Sequence, residues 1–140
     1  MKLKKTLSII KPDAIDSKFQ GKILDFLEDK GFKIIAQKKI KLTKSQAEAF
    51  YEIHKDKPFF NELVEFMISG EISVQVLESE DAISYYRKVM GNTDPNKADE
   101  GTIRKLYGTN IQCNAVHGSD SEENANNEIS FFFSNLELIL

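Results

Sequence analysis

Apolar positions along this chain switch repeatedly between the two-residue period of a strand and the 3.6-residue period of a helix. Thr6 to Ile10 reads as a buried strand, halted at Lys11-Pro12-Asp13 because proline removes a donor and fixes φ. Phe19, Ile23, Leu24 and Leu27 mark a helix that Gly31 closes. Phe32 to Leu42 predicts a strand with one wet face: Phe32, Ile34, Ala36, Ile40 and Leu42 share one side, and Lys33, Gln37, Lys39 and Lys41 the other. Thr43 caps the next helix, with Ala47, Phe50, Tyr51 and His54 at helical spacing. After Lys57-Pro58 the same spacing returns at Phe60, Leu63, Val64 and Met67, and Gly70 stops it.

Ile72 to Leu77 predicts a third strand, and Ala82 to Met90 a helix with Ile83, Tyr86 and Met90 inward. Gly91 to Thr102 is a long polar loop carrying Pro95 and Gly101, followed by a short helix near Ile103-Tyr107. Asn114 to His117 reads as a fourth strand and Ser121 to Phe133 as the last long helix. Strand-helix-strand-strand-helix-strand is the skeleton of an α+β ferredoxin-like sandwich: a four-stranded antiparallel sheet with helices on one face, here with a helical hairpin and a long Pro-containing loop added. No repeat or linker divides the sequence, so one domain over residues 1–140 is expected.

Composition narrows the function classes. The chain is 41% hydrophobic and 29% charged, which argues against disorder. A net charge of -3 argues against bulk nucleic-acid coating but leaves room for a local cationic pocket. Cys113 is the only cysteine and has no zinc-ligand set around it, so a reducing, cytoplasmic setting is the simplest expectation. The apolar stretch after Lys4-Lys5 is too short for a leader, and no run is long enough to span a bilayer. The short apolar end, Leu136 to Leu140, reads as a subunit contact.

The chemistry concentrates in Asn114-Ala-Val-His-Gly-Ser-Asp-Ser121 and the helix after it. Ala125, Glu128, Ile129 and Phe132 fall at i, i+3, i+4 and i+7, which puts Glu128 on or beside the inward stripe. An unpaired carboxylate there is costly. Glu128 is therefore either a flank residue reaching water or the partner of His117, whose tautomer and basicity such a bond sets. His117 is either a turn histidine bonded to backbone or a nucleophile. Ser119, Asp120 and Ser121 with Glu122 and Glu123 offer overlapping capping boxes, and free amides at a helix start favour phosphate. A neutral imidazole beside such a site is a nucleophile toward phosphorus. Two histidines are too few for a His-rich metal site.

That segment resembles the Asn-x-x-His-Gly-Ser-Asp-Ser signature of the nucleoside diphosphate kinase family. The likeness extends through Lys11-Pro-Asp-Ala14, Phe50-Tyr-x-x-His54, Lys57-Pro-Phe-Phe60 and Leu63-Val-x-x-Met67-x-Ser-Gly70. It continues through Arg87, Thr93-x-Pro95, Gly101-Thr-Ile-Arg104 and Glu128, and spans about Lys4 to Phe133. Separated motifs in one order are far more specific than His-Gly-Ser alone. The resemblance implies transfer of the γ-phosphate of a nucleoside triphosphate such as ATP to other nucleoside diphosphates, by a ping-pong route through phosphohistidine. His117 would attack through Nδ1, with Glu128 its partner and Ser119 in the same cluster.

The remaining roles follow from the same resemblance. Lys11 would neutralise the moving phosphate and touch the ribose, with Tyr51 nearby. Arg87 and Arg104 would hold the β and γ groups, where bidentate guanidinium suits phosphate. His54 and Thr93 would bond phosphate oxygens, and Asn114 the ribose. Phe59 would stack on the base with Leu63 close by, a contact that tolerates any base. Mg2+ would arrive with the nucleotide and find no direct protein ligand; Asp120 would meet it through water. The partners implied are nucleoside tri- and diphosphates and further copies of the chain, as hexamer or tetramer, with no nucleic acid and no membrane. Thr93-Asp-Pro95 replaces the family's usual Thr-Asn-Pro, and Gly70-Glu71 stands where Gly-Pro is common. A regulatory nucleotide-binding module, an interaction protein and a protein-phosphorylating relay are the rival readings on the same fold.

Overall fold

The computed structural model describes residues 3–139. Met1 and Lys2 of the amino-terminal stretch, and Leu140 of the apolar end, lie outside the described residues. Four strands, β1 (Leu3–Ile10), β2 (Lys33–Ile40), β3 (Ile72–Glu80) and β4 (Val116–Gly118), form one antiparallel sheet in the order β2-β3-β1-β4. The helices are α1 (Pro12–Asp16), α2 (Gln20–Asp29), α3 (Lys44–Phe50), α4 (Phe60–Met67), α5 (Ala82–Met90), α6 (Ile103–Tyr107) and α7 (Glu122–Phe132). Single 3-10 turns lie at Glu52–His54, Pro95–Lys97 and Asn135–Glu137. The predicted α+β sandwich is therefore present, and the sheet order is the one its skeleton requires.

Helices cover both faces of the sheet, which corrects the expectation of one covered face. Leu7, Ile9, Val74 and Val76 pack with Ala47, Tyr51, Val64, Met67, Ile129 and Phe132, from α3, α4 and α7. Ile10, Leu77 and Val116 pack on the opposite side with Ile23, Leu27, Tyr86, Val89 and Ile103, from α2, α5 and α6. The reason is visible in β1 and β3, where consecutive residues from Leu7 to Ile10 and from Ile72 to Leu77 are all buried. Alternating side chains point to opposite faces, so a run with no exposed position needs cover on both. Each fully buried leucine or isoleucine contributes on the order of 1.5–3 kcal/mol.

Local signals set most boundaries. Gly31, at φ 95°, ends α2: its amide bonds Glu28 O and the Phe32 amide bonds Leu27 O, the paired pattern of a left-handed helix end. Thr43 and Gln46 cap α3 reciprocally, side chain to amide in both directions. β2 departs from the predicted alternation. The register breaks between Ile34 and Ala36, a bulge at Ile35. Phe32 and Ile34 join the α2/α5 side, and Ile35, with Ala36 and Ile40, the α3/α7 side. Strands β1 and β3 are longer than predicted because their charged ends, such as Lys4 and Lys5 opposite Ser79 and Glu78, remain paired.

A buried polar chain crosses the α2/α5 side. Ser73 Oγ donates to Gln75 Oε1 (2.9 Å), Gln75 Nε2 donates to Ser8 Oγ (2.8 Å), and Ser8 Oγ shares a 2.6 Å hydrogen bond with the Tyr86 hydroxyl. That bond fixes the Tyr86 ring beneath Gly118. A Cβ at Gly118 would lie 2.7 Å from Tyr86 Cδ2 and 2.6 Å from Met90 Cε, so only glycine lets α5 sit this close to β4. Gly118→Ala is expected to destabilise the protein by about 1–3 kcal/mol through overpacking. Urea unfolding reads this as a lower midpoint at unchanged slope; an unaltered midpoint would mean that the tyrosine ring gives way freely.

Candidate active site

β4 is the edge strand that carries His117, and its register decides which way the ring faces. His117 lies opposite Ile9 and Val116 opposite Ile10. Ile9 belongs to the α3/α7 side of the sheet, so His117 points there while Val116 enters the other core. On α7, Ala125, Ile129 and Phe132 are buried and Glu128 sits on the margin of the same stripe. The two side chains meet: His117 Nε2 lies 3.0 Å from Glu128 Oε1. Ser119 Oγ donates to the same oxygen at 2.7 Å and accepts the Leu7 amide at 3.3 Å. Glu128 is thus the partner of His117 rather than a flank residue reaching water.

A carboxylate only accepts, so the ring nitrogen facing Glu128 carries the proton. The lone pair is then on Nδ1. The ring is packed edge-on by Phe50 and Tyr51, with centroids 5.7 and 6.4 Å away. Phe50, which the sequence places on the apolar stripe of α3 and in the Phe50-Tyr-x-x-His54 motif but not against His117, is half-buried at the end of that helix.

Lys11 follows β1, and its amide bonds Ala115 O, two residues before His117. It is 8% exposed, and its Nζ donates to Asn114 Oδ1 at 2.9 Å. Asn114 Nδ2 donates to Thr93 O at 3.0 Å, which ties the long loop to the strand end. Burial, and then the charge of Arg104, lower the Lys11 pKa to about 8. Arg104 is buried at 9% exposure; its Nη1 donates to Gly91 O and its Nη2 to Val116 O, both at 3.0 Å. Its Nε is buried without a partner, and burial lowers its pKa. The Tyr51 hydroxyl is likewise buried and unpartnered, and burial, then Glu128, raise its pKa. Of these two groups, Tyr51 lies against the His117 ring, and Arg104 is tied to the strand through the Val116 carbonyl.

Arg87 is exposed at the other wall. It lines a cleft of about 250 Å³ with Thr93 and Arg104. His54 and Phe59 form a second pair, ring centroids 5.6 Å apart, at the mouth of the α3–α4 hairpin. Phe59 is 48% exposed, while Phe60 and Leu63 pack on the core. The structure brings His117, Glu128, Ser119 and Tyr51 into one group and Lys11, Asn114, Thr93 and Arg104 into an adjoining one. Leu63 is tied to Phe59 only by its amide bonding Phe59 O.

Two expectations need correction, the capping of α7 and the start of β4. The overlapping capping boxes do not form: Ser121 alone caps α7 through the Asn124 amide, and Ser119 is committed to Glu128. Asp120, exposed, accepts from Asn124 Nδ2 at 2.6 Å, so it too forms no capping box. β4 begins at Val116, since Ala115, at φ 73°, lies in a turn. Sequence reading also gave no role to Asp13, whose Oδ2 accepts the Ala115 amide at 3.1 Å. A larger cleft of about 830 Å³, lined by Lys39, Lys41, Phe66 and Cys113, takes in none of His117, Glu128, Arg87 or Arg104.

The chain is similar to known proteins over nearly its whole length. The family model described as nucleoside diphosphate kinase matches residues 4–138. The nucleoside diphosphate kinase of Persephonella marina is 56% identical over 139 residues, covering 99% of both chains. That of a Wolbachia from Drosophila simulans is 59% identical, covering 99% of this chain and all of its own. The Aquifex aeolicus enzyme superposes with a TM-score of 0.96 at 45% identity, over 99% of this chain and 100% of that one. The Halobacterium salinarum enzyme, solved in complex with CDP, superposes with a TM-score of 0.94 at 38% identity, over 99% and 93%. Sequence and fold together establish that this chain belongs to the nucleoside diphosphate kinase family.

Proposed function

We propose that His117 carries the phosphate in a two-step exchange between nucleoside triphosphates and diphosphates. The family is one of nucleotide phosphotransferases, and that is the chain's enzyme class. In the first step Nδ1 attacks the γ-phosphorus. The bond to the β,γ-bridging oxygen breaks, and its electron pair leaves with the diphosphate. In the second, a terminal oxygen of another diphosphate attacks the same phosphorus and the Nδ1–P bond breaks. Glu128 keeps the proton on Nε2 in both directions and offsets the positive charge that the ring gains on phosphorylation. The observation that carries this reading is the 3.0 Å contact between His117 Nε2 and Glu128, which leaves the Nδ1 lone pair for the phosphorus.

Phosphoryl transfer is governed by charge neutralisation and alignment. Lys11, Arg87 and Arg104 take the γ and β phosphates, with His54, Thr93 and the Tyr51 hydroxyl bonding their oxygens. Asn114 takes the ribose, and Phe59 stacks on the base with Leu63 behind it, so purines and pyrimidines are both accepted. Among the described residues no three His, Cys, Asp or Glu side chains gather to hold a metal. Mg2+ is therefore read as part of the substrate, adding positive charge on the β and γ phosphates and keeping its waters. Asp120 meets one of those waters at most. One domain over residues 1–140 performs this in a cytoplasmic homo-oligomer, hexamer or tetramer. Exposed Leu136 (95%) and Ile139 (60%) support self-association, and no described helix is long and apolar enough to cross a membrane.

His117→Gln is expected to abolish phosphate incorporation from labelled ATP while still binding ADP in equilibrium dialysis, because the cations and Phe59 remain. Retained incorporation would remove His117 from the mechanism. Glu128→Ala is expected to slow single-turnover phosphorylation by about 10²–10⁴-fold. An unchanged rate in rapid quench would exclude Glu128. Because burial lowers the Lys11 pKa to about 8, its charge is present below that pH and lost above it. ADP affinity of the free protein should therefore fall as pH rises through about 8, and Lys11→Gln should flatten that limb. A titration with the same limb in Lys11→Gln would assign it to another group.

A further inference from the structure

The Asp13 carboxylate bonds none of the site side chains named above, yet it grips the backbone two residues before His117. Ala115 has φ 73°, and the Val116 amide bonds Asn114 O at 2.8 Å, so Asn114-Ala115-Val116 form a γ-turn of the strained, positive-φ kind. Glycine would adopt that conformation freely; alanine does not, so something must hold it. The Ala115 peptide is held at both polar atoms. Its oxygen accepts the Lys11 amide at 2.8 Å, and its amide donates to Asp13 Oδ2 at 3.1 Å. Chemistry flanks the turn on each side. Asn114 holds the Lys11 ammonium, the Val116 carbonyl accepts Arg104, and His117 follows immediately.

The cost of this arrangement points the same way. Asp13 Oδ1 is buried with no hydrogen-bond partner among the described residues. Burial raises the pKa of the carboxylate, although Lys11 stands beside it. The Ala115 amide is the largest of the contacts that oppose this rise, ahead of Lys11 and the amides of Asp13 and Ala14.

We propose that Asp13 is a positioning residue for His117: Oδ2 clamps the Ala115 amide, keeps the positive-φ turn closed, and so sets where Nδ1 stands against the incoming phosphorus. The inference rests on His117 as the phosphate acceptor. An aspartate in the first turn of α1 also favours that helix through its charge. Asparagine loses the charge and keeps an oxygen that can accept the Ala115 amide, which separates the two roles.

The test is rapid-quench phosphorylation of the full chain by labelled ATP, with ADP affinity measured alongside. The native protein is run first; absence of label on its His117 would overturn the proposed function itself. With the native protein labelled, Asp13→Ala is expected to phosphorylate about 10–100-fold more slowly, the scale for a misplacement of about 1 Å. ADP affinity should change far less than this rate. Asp13→Asn should recover to within about threefold of native, and Ala115→Gly in the Asp13→Ala background should regain part of the rate, since glycine closes the turn unaided. A native rate in Asp13→Ala, or an Asp13→Asn protein as slow as Asp13→Ala, would overturn the proposal. If Asp13→Ala does not fold, amide exchange at Ala115 in Asp13→Asn decides. Protection within about tenfold of native supports the clamp, and full exposure of that amide defeats it.

Discussion

A carboxylate can accept a proton-bearing nitrogen but cannot offer one, and the site is organised around that asymmetry. Glu128 faces Nε2 of His117 at 3.0 Å and takes the Ser119 hydroxyl at 2.7 Å on the same oxygen. The ring is thereby fixed with its lone pair on Nδ1. Orientation, tautomer and nucleophilicity follow from one contact. Burying a carboxylate is costly unless it is bonded, and the same two bonds that satisfy Glu128 also aim the histidine. Structural need and chemical need coincide there.

The fold serves that contact by bringing together elements remote in sequence. β4 is short and lies at the sheet edge, paired only to β1, so its side chains face one core or the other by strict alternation. Gly118 lets α5 press against the strand from one side, and α7 covers it from the other. The cations come from the ends of elements rather than their middles. Lys11 follows β1, Arg87 lies in the last turn of α5, and Arg104 lies in α6. The net charge of -3 conceals this, because local convergence of cations is independent of total charge.

Much of this was legible in the sequence, for identifiable reasons. Helix ends were readable wherever a specific residue stops the backbone, as Gly31 and Thr43 do. Glu128 was readable as an anomaly because a carboxylate on an apolar stripe needs a partner, and the sequence left two outcomes that geometry has now reduced to one. The bulge at Ile35 was not legible: three successive apolar residues, Ile34 to Ala36, fit either face, and only pairing with β3 settles which enters which core. The cover on both faces was missed although the unbroken apolar runs of β1 and β3 imply it. Local pattern alone reads Ser119 as a cap, because a serine before a helix has several partners within reach, whereas the family resemblance puts it with His117 and Glu128, and it bonds Glu128. The turn at Ala115 was invisible, since alanine carries no signal for positive φ and its restraints, Lys11 and Asp13, come from the far end of the chain.

Nitrogen NMR of histidine-labelled protein reports on a single atom, Nδ1 of His117. In the free protein the His117 proton is expected on Nε2, and in the phosphorylated protein phosphorus is expected to couple to Nδ1. A proton on Nδ1 in the free protein, or phosphorus bonded to Nε2 after reaction with ATP, would contradict this reading of the site.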